Sequence, residues 1–271
     1  QRVAAPGATI VDDGTIAALD PATGEQRWSV QTGLTTGRTP AYSDGVVVAG
    51  TEEGTLFAID AETGTQLWSF VSDGGLVSTS VIADGTVYQA IRDGDGNGLY
   101  VLDLHTGEER WTYHALDNAG VGIPTVEGET VYLTADDGHL TALDASNGVE
   151  RWIVPGTAPW QADGKIAGDF LYIYHPLDQK LFAFDKATGA VHWELDGVTF
   201  ENKGPSIAAD VLYASTMDGT VHAIAANVPG PVATVEPAAT PEATPTGVAT
   251  LLWQTDGDPN QPLNRPQAIR F

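Results

Sequence analysis

The chain has 271 residues, 42% of them hydrophobic, and a formal net charge of −24 from 36 acids against 12 Lys and Arg. So negative a surface disfavours nucleic acid and anionic membranes and favours solubility or cationic partners. The absence of cysteine removes disulfides, thiolate zinc sites and cysteine nucleophiles, and no apolar run reaches the roughly 18 residues of a membrane span.

The chain opens QRVAAPG, without Met or a signal-peptide core, as a processed or trimmed product would. ATIVDD, TIAALD and EQRW then read as three short strands, the second to fourth (B, C and D) of a four-stranded unit. Next come TPAYS and VVVAG, joined by Asp44-Gly45, and TLFAID, whose alternation puts Leu56, Ala58 and Asp60 on one face and Phe57 and Ile59 on the other. STSVIA and TVYQAI follow, joined by Asp84-Gly85, a pair suited to a tight hairpin.

These strands belong to an internal repeat. GTIAALDPATGEQRW (14–28), GTLFAIDAETGTQLW (54–68), NGLYVLDLHTGEERW (97–111), GHLTALDASNGVERW (138–152) and QKLFAFDKATGAVHW (179–193) align in register. Their closing tryptophans, Trp28, Trp68, Trp111, Trp152 and Trp193, are spaced 40, 43, 41 and 41 residues apart. The Asp of each copy is placed to accept bonds from backbone N–H groups two or three residues on, and the Gly tolerates positive φ. The Trp is large enough to wedge between neighbouring sheets. Four short antiparallel strands per copy, A to D from axis to rim, predict an all-β propeller rather than a helical solenoid.

The sixth copy is degraded. GPSIAAD, VLYAST and TVHAIA are clear strands, but Ala225 replaces the turn Asp, and a Pro/Thr/Ala-rich segment, 228–247, follows. Such a segment reads as an extended insertion, within blade six, because Trp253 in VATLLWQTDG matches the repeat tryptophan. NRPQAIRF (264–271) then looks like a strand A. The expected architecture is a single six-bladed propeller over 1–271, with blade one built from 8–30 plus 264–271 so that the C-terminal strand closes the ring and removes both sheet edges. The rival is truncation, with Pro266–Phe271 opening another propeller of a longer protein.

The signature A-x-D-x-x-T-G-x-x-x-W resembles the PQQ-like repeat of quinoprotein dehydrogenases and of the outer-membrane assembly lipoprotein that shares their propeller. It covers about 220 of the 271 residues and says little of function, because many non-enzymes use the repeat. A quinoprotein dehydrogenase of this family would carry about eight blades, an adjacent cysteine pair and a Glu/Asn/Asp calcium set. Six Trp-marked repeats and no cysteine make PQQ the alternative rather than the expectation.

Catalytic constellations are missing from the sequence: His105, His114, His139, His175, His192 and His222 show no zinc spacing, and no nucleophile elbow, P-loop or dinucleotide fingerprint occurs. His192 holds the place of Arg27, Arg110 and Arg151 and reads as a blade-edge residue. One pattern stands out among scarce cations. Arg38 and Lys203 precede the strand A prolines Pro40 and Pro205 by two residues, and Arg265 adjoins Pro266. Ring closure would gather them at the channel mouth with Asn118, Trp160 and Asn202 nearby, as an anion or carboxylate site; local balancing of acids such as Glu201 is the simpler alternative.

DGDGNG (93–98) resembles a calcium loop. Asp93, Asp95, Asn97 and the Leu99 carbonyl would hold a weak Ca²⁺, but Val101 and Leu104 stand at the ninth and twelfth positions, where the twelfth needs a bidentate acid. In repeat register the segment is the longest B–C loop. The expectation is a non-catalytic, extracytoplasmic propeller (secreted, periplasmic or cell-surface) that needs no cofactor and binds another protein or a glycan through its loops. A PQQ-dependent enzyme and a ligand-sensing domain of a larger receptor are the alternatives, and the sequence leaves oligomeric state open.

Overall fold

A computed structural model describes residues 3–5, 8–11, 14–33, 39–72, 75–76, 79–92, 97–156, 164–196, 205–208, 211–215, 221–225 and 251–255. They form six antiparallel sheets, each a meander in sequence order.

The chain divides into two compact units, residues 1–164 and 165–271. The first holds four sheets. Sheet one contains β1 (Val3–Ala5), β2 (Ala8–Val11), β3 (Thr15–Leu19) and β4 (Gln26–Gln31). Sheet two contains β5 (Ala41–Ser43), β6 (Val46–Gly50), β7 (Thr55–Asp60) and β8 (Gln66–Val71). Sheet three has β9 (Gly75–Leu76), β10 (Val81–Ala83), β11 (Thr86–Arg92), β12 (Gly98–Asp103) and β13 (Glu109–Tyr113), with β9 extending one end of β11. Sheet four has β14 (Thr125–Glu127), β15 (Thr130–Thr134), β16 (Leu140–Asp144) and β17 (Glu150–Val154). The short first strands adjoin in series, β1 by β5, β5 by β10 and β10 by β14, as the inner strands of propeller blades do.

The second unit holds sheet five, β18 (Lys165–Ala167), β19 (Phe170–His175), β20 (Lys180–Asp185) and β21 (Val191–Asp196). Its sixth sheet is β22 (Ser206–Ala208), β23 (Val211–Ser215), β24 (Val221–Ala225) and β25 (Leu251–Thr255). β24 pairs with β25 antiparallel, so Trp253 stands in the outer strand of this sheet, across residues 226–250 in sequence.

Sheet one corrects the expected closure. β2 has two edges; β3 takes one and the chain's own Val3–Ala5 takes the other. The inner place reserved for 264–271 is therefore filled from the N-terminus, and 264–271 lie outside the described residues.

Alternation in each third strand feeds two cores, as the reading of TLFAID anticipated. Leu56 and Ala58 pack with Trp68, Val87, Leu102 and Leu104 between sheets two and three. Ile59 and Phe57 turn the other way, to Trp28, Ile16 and Ala18 of sheet one. A third core, around Trp111, Leu99, Val131 and Leu143, joins sheets three and four. Each tryptophan is also bonded across its gap: Trp28 Nε1 donates to the Ala61 carbonyl (2.9 Å), Trp68 to Leu104 (2.8 Å) and Trp111 to Ala145 (3.0 Å). The acceptor is always the residue after the repeat Asp of the next sheet. A buried N–H would otherwise cost about 1–3 kcal/mol. In the second unit Trp193 stands 5.6 Å from Tyr172, and its buried Nε1 finds no partner among the described residues.

The A–B hairpins explain the Asp-Gly pairs. Asp44 and Gly45 have φ of 48° and 78°, Asp84 and Gly85 of 47° and 66°, the double left-handed turn that matches strand twist.

Candidate functional site

Sheets one to five have two unlike ends. At one end lie the A–B hairpins and the Asp-x-x-Thr-Gly turns, and these turns are closed upon themselves. Asp60 Oδ1 accepts the Glu62 and Thr63 amides and the Thr63 hydroxyl, and Asp20, Asp103, Asp144 and Asp185 repeat the scheme. In three sheets the arginine before the tryptophan completes it: Arg27 reaches Asp20 at 2.6 Å, Arg110 reaches Asp103 at 2.7 Å and Arg151 reaches Asp144 at 2.8 Å. The Arg27 guanidinium, with the Ala22 and Thr23 amides, holds the Asp20 carboxyl down at about 2. The Ser146 hydroxyl and then Arg151 do the same for Asp144, also about 2. Arg110 holds Asp103 lower still, and the Thr63 and Thr188 hydroxyls lower Asp60 and Asp185. In sheets one, three and four both oxygens of the repeat carboxylate are thus bonded.

The B–C and D–A connections belong to the other end, and their sequences vary. The best described cluster lies between sheets three and four, in the connection 114–124. Leu116–Asn118 form a 3-10 turn in which Asp117 and Asn118 both take left-handed φ, 52° and 57°. Non-glycine residues enter that region at a cost of about 1–3 kcal/mol each and tend to do so at binding loops. Two ties hold the turn. Asn97 Nδ2 donates to the Asn118 carbonyl (2.9 Å), and the Asn97 carbonyl meets His114 Nδ1 (2.9 Å). Beyond the turn, the Asp136 amide donates to the Gly120 carbonyl at 2.7 Å and the Gly122 amide to the Thr134 carbonyl at 2.8 Å. Beneath them Ala115, Val121 and Ala135 are buried in the third core. The turn thus lifts Leu116 into solvent, 53% exposed, beside Asp117.

Acids dominate the rim of this cluster. Asp137 accepts the His139 amide (2.9 Å), and its other oxygen lies 2.8 Å from His139 Nδ1, off-line for a hydrogen bond. Below, Tyr113 donates its hydroxyl to Glu150 at 2.8 Å; burial and that acceptor push the phenol up to about 12, so it remains a neutral donor. An exposed leucine, fixed carboxylates and a rigid base suit recognition. Among the described residues, no group of three or more His, Asp or Glu is placed to hold a metal ion.

Of the anion-site residues, Asn118 alone is described, and it belongs to this cluster. Arg38, Lys203, Arg265, Trp160 and Asn202 lie outside the described residues, while Pro40 and Pro205 are buried at the feet of β5 and β22. The arc also needed 264–271 as the inner strand of sheet one, the place that Val3–Ala5 occupies. Of the calcium set, Asp93 and Asp95 lie outside the described residues. Asn97 spends its amide on Asn118, and Leu99 sits within β12, paired to Ala90 on one side and Tyr113 on the other. His192 lies in β21, stacked on Phe170 at 4.4 Å, as a rim residue. Sequence reasoning missed the roles of Leu116 and His114. The one available signal was that the third D–A connection replaces turn residues with LDNAG.

A family model described as outer membrane protein assembly factor BamB matches residues 12–116 and 81–227, together well over half of the chain. The crystal structure of BamB from Moraxella catarrhalis superposes with a TM-score of 0.67 at 23% identity, covering 82% of this chain and 70% of that one. The computationally designed Ika8 protein gives 0.72 at 18% identity, covering 93% and 71%. At such identities the likeness is one of fold. In sequence, the serine/threonine-protein kinase AfsK of Streptomyces griseus is 29% identical over 157 residues, 52% of this chain, and the chain spans only 18% of that kinase's length.

Proposed function

This chain belongs to the family of PQQ-like β-propeller repeats described for the outer membrane protein assembly factor BamB, and we propose that it is a non-catalytic, extracytoplasmic scaffold that binds a protein or another ligand through its loop end. The observation that carries this reading is the contrast between sheet ends. One end repeats a single self-bonded turn, and the other sets an exposed Leu116 and strained Asp117 on a rigid base. Uniform turns serve folding, whereas irregular loops on a rigid frame serve recognition.

The family's name supports the same direction, since it denotes an assembly factor rather than an oxidoreductase, and it ties its namesake to the outer membrane. No helix among the described residues is long and apolar enough to cross a membrane. We read the six sheets as six blades of one propeller, needing no cofactor. The test is twofold. PQQ added with calcium and an electron-accepting dye should yield no alcohol or sugar oxidation. Partner capture should fall when Leu116 and Asp117 are replaced and persist when Glu25 and Glu108, in the closed turns, are replaced.

A second reading, a ligand-sensing module of a larger receptor, draws support from the match to AfsK, of which this stretch is a small part. The two readings share the loop end and differ in what lies beyond this sequence in the gene.

A further inference from the structure

Sheet two departs from sheets one, three, four and five at the rim. Its outer strand β8 has the sequence QLWSFV, without a charge, where β13, β17 and β21 carry acids and β4 carries Arg27. Residues 39–72 hold five acids (Asp44, Glu52, Glu53, Asp60 and Glu62) and no Lys, Arg or His. Leu67 stands where sheets one, three and four have the arginine that pairs with the repeat Asp. Among the described residues the side-chain bonds of Asp60 fall on Oδ1, and its Oδ2, which in those sheets is the oxygen nearest the guanidinium, meets no cation.

The backbone of β8 is equally open. The Ser72 amide donates to the Gly54 carbonyl, which makes 72 and 54 a hydrogen-bonded pair. Alternation then turns Phe70 and Trp68 towards β7, opposite Leu56 and Ala58, and turns the N–H and C=O groups of Ser69 and Val71 outward. No strand among the described residues pairs with that edge. The side chains beside it are apolar and wet: Val71 is 70% exposed and Leu67 is 45%. An uncharged apolar edge strand is a liability that proteins blunt with charge or cover, and here the charge is missing. Acids flank both ends instead, with Glu62 in the turn before β8 and Glu52 and Glu53 beside the Gly54–Ser72 pair.

We propose that the outer edge of β8 receives an extended segment of a partner protein as a fifth strand, with alternate apolar residues beside Leu67 and Val71 and an arginine or lysine that reaches Asp60. The partner's cation takes the place that Arg27, Arg110 and Arg151 fill within their own sheets. Charge complementarity selects this occupant over a second copy, since two copies would bring together five acids of each sheet with no Lys, Arg or His in either stretch 39–72. Main-chain bonds supply affinity and the terminal cations supply choice. The surface is separate from the loop cluster, and variants of β8 leave that cluster unchanged, so the two readings fail independently.

The probe is the acetylated peptide Arg-Val-Thr-Val-Thr-Val-Arg, with a version ending in Glu at both ends as its control, read by fluorescence anisotropy. Ser69→Pro removes an outward N–H and no β7 bond, so the fold should persist. The expected results are binding of the basic peptide by the unaltered protein, about tenfold or more weaker binding of the acidic one, and about tenfold loss in Ser69→Pro. Leu67→Arg, which supplies the cation within the sheet, should weaken binding by about threefold or more and serves as the test if Ser69→Pro does not fold. Absence of binding to the basic peptide, equal binding of both peptides, or unchanged binding in a folded Ser69→Pro or Leu67→Arg protein overturns the proposal. A dimer that dissociates in Ser69→Pro also overturns it, by assigning the edge to a second copy.

Discussion

Gly107 lies so close to the indole of Trp68 that a Cβ on the glycine would sit 2.6 Å from Trp68 Cδ2. The same contact joins Gly148 to Trp111 at 2.6 Å (Cε3) and Gly64 to Trp28 at 2.8 Å (Cδ2). The repeat Gly therefore answers two demands together. Its φ of about +72° favours glycine for the turn, and the flat face it leaves bare is where the preceding sheet's tryptophan rests.

Two alanine substitutions separate these demands. Gly85, with φ of 66°, has nothing within 4 Å of its Cβ position. Gly85→Ala should cost only the left-handed strain, and Gly107→Ala both that and the clash, about 2–4 kcal/mol in all. Urea unfolding of the two proteins should place Gly107→Ala clearly below Gly85→Ala; equal midpoints and slopes would remove the clash from the account.

Trp68→Phe should destabilise by about 1–3 kcal/mol, because the Leu104 carbonyl loses its donor as the core loses volume. Substituting Leu104 cannot mimic this loss, since the acceptor is a main-chain oxygen. A Trp68→Phe protein as stable as the original in thermal unfolding would show that the cross-sheet bond adds nothing.

Acid should loosen the turns in a defined window. Asp20 and Asp144 are held near 2 in the folded chain against 3.8 ordinarily, and Asp60, Asp103 and Asp185 are also lowered. Because the unfolded chain binds these protons more readily, their stabilisation is present above about pH 4 and is lost as the pH falls through the folded values near 2. Tm measured from pH 5 to pH 2 should fall, and should fall less steeply in Asp20→Asn. These turns are exposed, so salt will shrink the arginine share of the effect.

Asp117→Gly relieves a left-handed residue that glycine adopts freely. Thermal stability should hold or rise slightly while partner binding falls, the signature of strain kept for recognition. A protein that loses stability and keeps full binding would instead make Asp117 a structural residue.

Calcium should produce little response. Asn97 is tied to Asn118, and Leu99 is committed within β12. Titration calorimetry without heat, and a Tm unchanged by Ca²⁺, are the expected outcomes; saturable heat lost in Asp93→Ala/Asp95→Ala would reverse them.

Much of the fold was legible because period-two alternation, Asp-Gly hairpins and a tryptophan every forty or so residues are local signals. TLFAID announced two buried faces, and both were found. Closure was not legible in the same way. The strand beside β2 is chosen by competition for one edge, and Val3–Ala5 is too short to show periodicity, whereas NRPQAIRF copied the pattern of GRTPAYSD. The loop cluster was hardly legible at all. Its ties, such as Asn97 to Asn118, join residues 21 apart in sequence through main-chain carbonyls that carry no sequence mark. The open rim of β8 was legible only after structure showed what Arg27, Arg110 and Arg151 do, since Leu67 then stands out as the missing cation.

The claim that the loop end binds a partner is tested most directly by photo-crosslinking in the cells that make the protein, with a photoreactive residue placed at Leu116 and, separately, at Ala187 in the closed turn of sheet five. A discrete protein or glycan adduct is predicted from position 116 and none from position 187. An adduct from 187 with none from 116, equal adducts from both, or none from either would contradict it.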